Sequence, residues 1–128
     1  MVLRHLPAGA AGIAATLDTV RRLALALPRA EEKPSYNGTA GFRVRGKGLF
    51  AREREDGETI ALKVDYGERE ALTTMQPETF FITPHYENYP WMIVKLATVD
   101  PEELGELLTD AWRLTAPKRL QAELDQPS

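Results

Sequence analysis

The apolar positions of this chain change their period several times, and each change marks an element. Ile13, Leu17, Val20, Ala24 and Leu27 recur at helical spacing, with Arg21 and Arg22 off the stripe, which predicts a helix over about 16–27. Pro28 should end it, because its ring clashes with a continuing helix. The period then drops to two. Phe42 and Val44 alternate with Arg43 and Arg45, and Ile60, Leu62 and Val64 share a face opposite Lys63. Half-buried antiparallel strands alternate in this way. Gly46-Lys47-Gly48 and Asp56-Gly57 supply tight turns on either side of a strand over 49–54. A weaker strand over 31–36, interrupted by Pro34, leads into an Asn37-Gly38 turn. These segments predict a meander of three or four strands.

Helical signals return at Asp65, an N-cap residue with Glu68 three positions on to complete a capping box. That helix should cover 67–75 and stop at Gln76-Pro77. Short strands over 80–82 and 91–97 follow. The third helix carries the strongest pattern: Asp100 as cap, Pro101 at the first helical position and Glu103 reaching back. Leu104, Leu107, Leu108, Ala111, Trp112 and Thr115 form its buried stripe. It should end near Pro117, with a further turn over 118–120 and a frayed tail over 121–128. The reading is a single α+β domain over residues 1–128. It has an antiparallel sheet of about five strands and three helices, in the order helix, three strands, helix, two strands, helix.

Composition narrows the function classes. A chain of 128 residues buries roughly two-thirds of the surface its unfolded form exposes. There is no cysteine, which removes disulfides, thiolate metal sites and a cysteine nucleophile, and suits a cytoplasmic location. Residues 1–15 carry Arg4 ahead of small apolar residues, but Gly and Pro break the run, so they read as a loose N-terminus and not as a signal peptide. No stretch approaches the ~20 apolar residues of a membrane span. Net charge is −3, but it is unevenly spread. Lys33, Arg43, Arg45, Lys47, Arg52 and Arg54 fall in one segment beside a single acid, Glu53. Asp100, Glu102, Glu103, Glu106 and Asp110 fall in another with no base.

Two constellations are candidates for chemistry. The first is the basic hairpin. Arg43 and Arg45 on one strand face, Lys47 at the turn and Arg54 on the next strand would neutralise phosphates, and Lys63 and Lys95 would broaden the patch. The competing reading is a solvated sheet face with cross-strand ion pairs. The second is the loop FFITPHYENYPWMIVKL, where His85, Tyr86, Asn88, Tyr89 and Trp91 would stack on a ligand or pack against backbone. Catalysis or metal binding by His85 finds no support, since the only other histidine is His5 and zinc takes three or four ligands. No catalytic residue, metal or cofactor is expected. The glycines of GTAG and GKG read as turn formers, since a strand, not a helix, follows GKG. Lys118 and Arg119 suit either phosphate or the negative end of the last helix.

The run of motifs FRVRGKGLFA, ITPHYENYPWMIVKL and AWRLTAPKRL, in that order over about residues 20–120, resembles the MmcQ/YjbR-like family. The resemblance implies a small domain related to type III secretion chaperones in fold, with a DNA-binding label attached to a double-wing arrangement. The leading expectation is therefore a non-enzymatic domain that binds DNA through the basic hairpin. The alternative is a protein-interaction or chaperone-like module, in the form of a homodimer or with another partner. A small-molecule binder using His85, Tyr86 and Trp91 is the third reading. The first 15 or so residues lie outside the resemblance, so no role is assigned to His5.

Overall fold

A computed structural model of the chain describes residues 14–125. The elements run α1 (Leu17–Leu25), β1 (Ala30–Pro34), β2 (Ala40–Val44), β3 (Gly48–Glu53), β4 (Thr59–Lys63), α2 (Tyr66–Met75), β5 (Phe80–Phe81), β6 (Trp91–Lys95), α3 (Pro101–Thr115) and α4 (Lys118–Asp125). Single 3₁₀ turns cover Tyr36–Gly38 and Pro84–Tyr86. The six strands form one antiparallel sheet in the order β1-β2-β3-β4-β6-β5. No helix among the described residues is long and apolar enough to cross a membrane.

The α+β architecture and the element order follow the sequence pattern, with two additions. The weak strand is real: β1 pairs with β2 from Ala30↔Val44 to Pro34↔Ala40. It tolerates Pro34 because it is an edge strand, where a missing N–H costs the ladder nothing. The second addition is α4, in place of a frayed tail over 121–125. Leu120 is fully buried, Gln121 Nε2 donates to the carbonyls of Arg113 and Ala116, and the Arg113 guanidinium meets Asp125 at 2.6 Å. An eight-residue helix is marginal alone, so these tertiary contacts hold it. Ile13 and His5 lie outside the described residues, while Ala15, expected in a loose segment, is buried.

The core lies between one sheet face and the helices. Phe42, Phe50, Ile60, Leu62, Phe80, Met92 and Val94 supply the sheet side; Val20, Ala24, Leu104, Leu108, Trp112 and Leu120 supply the helix side. A bulge between Phe42 and Arg43 puts Phe50 out of register, so Phe50 and Ala51 are both buried where strict alternation would expose one. Trp112 also ties helix to connection, its Nε1 donating to the Pro28 carbonyl at 2.9 Å. Truncating such a buried indole costs about 3–5 kcal/mol. Capping differs from expectation at one helix. Asp65 caps α2 by accepting from the Glu68 N–H at 2.9 Å. Asp100 makes no side-chain capping bond, and Glu103 is buried, with Gln76 Nε2 at 3.4 Å from its carboxylate.

Candidate functional site

Strand direction decides which cations meet. Because every pairing is antiparallel, the start of β1, the β2–β3 turn, the end of β4, the end of β5 and the start of β6 fall at one end of the sheet. That end, hereafter the hairpin end, gathers Arg43, Arg45, Lys47 and Lys63, together with Trp91 and the loop of residues 82–90. By register Arg43, Lys63 and Trp91 also share the sheet face turned away from the helices. On that face a small apolar cluster of Ala61, Tyr86, Ile93, Phe81 and Trp91 packs, with Tyr86 supplied by the 3₁₀ turn and none of its residues by an α-helix.

The turn itself is strained. Lys47 N–H donates to the Val44 carbonyl at 3.0 Å, and Arg45 (φ 55°) and Gly46 (φ 69°) take the left-handed conformations of a type I′ turn. Arg45 is therefore in the turn and not on the strand face of Arg43, which corrects the sequence expectation. Its N–H donates to the carbonyl of Arg29, which is itself at φ 58°. Left-handed backbone at a non-glycine residue costs on the order of 1–3 kcal/mol. Arg43 donates to the Lys47 carbonyl at 2.7 Å, and the Lys33 side chain lies against Gly46. Arg29 and Lys33 thus join the turn's cations, with Glu31 3.8 Å from the Lys33 ammonium as a counter-charge. Gly48 packs so closely on Thr115 that a Cβ there would collide with Cγ2, which brings the C-terminus of α3 to this end. Lys118 and Arg119, both exposed, open α4 three residues beyond Thr115.

Arg54 and Lys95 stand apart. They lie at the opposite end of the sheet; Lys95 pairs with Thr59 and Lys63 with Trp91, four residues or roughly 13 Å along the same ladder. Arg54 is engaged there by Thr59 Oγ1 at 3.0 Å and Asp56 at 3.5 Å. Burial pushes the Asp56 carboxyl up, but bonds from the Glu58 N–H and from the Thr59 hydroxyl and N–H outweigh it and hold the group below its ordinary value. This end also holds Glu53, Glu55, Glu58 and the acidic first turn of α3. The six cations of the sequence reading therefore fall into two groups at opposite ends of the sheet, and acids accompany the hairpin group as well: Glu31 pairs with Arg43, and Asp65, Glu68 and Asp110 line a cavity with Lys63.

The aromatic loop is built, not floppy. Arg69 on α2 donates to the carbonyls of Tyr86 (3.0 Å), Tyr89 (2.8 Å), Trp91 (3.1 Å) and Glu87 (3.1 Å), with its guanidinium also 4.9 Å from the Tyr66 ring. A planar five-donor fork suits this job. Tyr86 is 9% exposed and stacks on Trp91 at 6.5 Å, so its ring packs the loop and is closed to a ligand. His85 sits edge-on to Tyr86 at 4.8 Å and tilted against Tyr89 at 6.2 Å. His85 and Asn88 are exposed, and Tyr89 is 56% exposed. Neither Arg69 nor Arg29 was named as a site residue from sequence. Arg69 acts across 17 to 22 residues of chain, and no local pattern announces such a contact.

A family model described as YjbR matches residues 25–114. Curated relatives include the uncharacterized proteins Mb2600 of Mycobacterium bovis and MT2646 and Rv2570 of Mycobacterium tuberculosis. Each is 32% identical over 119 residues, covering 83% of this chain and 92% of theirs. Among solved structures, Deinococcus radiodurans protein DR2400, with a DUF419 domain, superposes with a TM-score of 0.72 at 28% identity, over 89% of this chain and 91% of that one.

Proposed function

The chain belongs to the YjbR family, and from that premise we propose that it is a non-enzymatic DNA-binding domain whose phosphate contacts lie at the hairpin end. Arg43, Arg45 and Lys47 meet the backbone, and Lys63 extends the contact toward Trp91. The observation that carries the reading is the convergence of these cations at one end of a molecule whose net charge is −3. These cations come from separate stretches of the chain, and a local cluster of this kind attracts a polyanion whatever the net charge of the whole. The strained turn supports the same reading, since Arg45 sits where asparagine or glycine would be easier.

The test is a titration of labelled duplex and single-stranded DNA at low and physiological salt with wild type and Arg43→Ala/Arg45→Ala/Lys47→Ala. Wild type should bind with a steep salt dependence, and the variant should lose about 0.9 from the slope for each phosphate contact removed. A melting curve checks that losing the Arg43 bond to Lys47 leaves the fold intact. Binding indifferent to salt, or no binding at low salt, overturns the proposal and turns attention to a protein partner.

A further inference from the structure

We propose that the DNA bound at the hairpin end is single-stranded, with an unstacked base laid on the ring of Tyr89. This rests on the DNA-binding reading above and concerns the same site. Tyr89 is a large amphipathic side chain left 56% exposed although it is held in place. Its N–H donates to the Tyr86 carbonyl at 3.1 Å, and its own carbonyl accepts from Arg69 at 2.8 Å. With its backbone held and its ring open, the residue has part of its ordering cost already met, which favours a ligand that presses flat against the ring. His85 stands 6.2 Å away at an interplanar angle of 34° and supplies a second ring of similar tilt.

The chemistry of the occupant follows from what surrounds that ring. Lys63 pairs with Trp91, two residues beyond Tyr89, and the Arg45–Lys47 turn, between β2 and β3, lies two to three strand spacings from β6, roughly 10–14 Å. A ligand spanning this end must offer spaced anionic groups and at least one exposed π-face. Duplex DNA offers the charges, but its base faces are occupied by neighbouring bases and only edges reach the grooves. A single strand offers both, since each base can leave the stack and lie on an aromatic side chain.

The experiment measures anisotropy of labelled 20-mers of oligo-dT, of a mixed-sequence duplex and of oligo-rU. It compares wild type, Tyr89→Ala and Tyr89→Phe at low and physiological salt. Oligo-dT should bind more tightly than the duplex. Tyr89→Ala should weaken oligo-dT by roughly five- to a hundredfold, with the salt slope and the duplex affinity unchanged, and Tyr89→Phe should restore it. Tighter binding of duplex, or a Tyr89→Ala variant with wild-type affinity for oligo-dT, overturns the single-strand assignment and leaves the DNA-binding reading standing. Oligo-rU binding as tightly as oligo-dT overturns the choice of DNA. Failure of all three probes at low salt overturns both.

Discussion

Arg45 occupies a position that hairpin chemistry would give to asparagine. It precedes Gly46 in a type I′ turn, with φ 55° at Arg45 itself, and Asn-Gly is the preferred pair for that geometry. Replacing it therefore separates stability from function. Arg45→Asn should raise stability by about 0.5–1 kcal/mol in denaturant titration while weakening duplex DNA binding at low salt. A variant that binds as well as wild type would show that the turn's charge does no phosphate work. At the same scale, Tyr86 shows what sequence leaves open. Its residue type fits both a ligand contact and a packed loop, and only its position over Ala61 and Ile93 selects packing.

Among the elements, α4 depends most on its surroundings. Its sequence reads as a polar tail with two leucines, and the first is the anchor: Leu120 is completely buried in the sheet–helix core, and Leu124 is partly buried against it. Leu120→Ala should cost about 2–5 kcal/mol, read as a lowered Tm together with faster amide exchange over 118–125. If amide exchange in α4 does not change, Leu120 is not what holds it. The β2–β3 hairpin is the converse case. Its turn is centred on Arg45-Gly46 and not on Gly46-Lys47-Gly48, but its presence and its alternation were legible, because they follow from local backbone preferences. Its bulge at Phe50 was not, since two consecutive buried residues arise from how β3 sits beneath α3.

For the whole molecule, the antiparallel order decides which of the cations spread along the chain meet in space. Strand ends alternate, so Lys63 joins the basic hairpin while Lys95, on the neighbouring strand, joins the acidic end. The two lysines then make an internal control. Lys63→Ala should weaken DNA binding and lower its salt slope by about 0.9, whereas Lys95→Ala should leave both within error. Equal losses from the two substitutions would mean that the broad helix-free face, and not the hairpin end, carries the ligand.

The sequence by itself determined the α+β class, the order of elements, the basic hairpin and the aromatic loop, because period, turn chemistry and capping act over a few residues. The tertiary structure alone decided that the hairpin and the loop share one end of the sheet and that Arg54 and Lys95 do not. It also decided that Glu103 is buried and that one guanidinium, Arg69, fixes the loop. Each of these depends on strand register or on contacts between residues far apart in the chain, where the pattern of neighbouring residues carries no information.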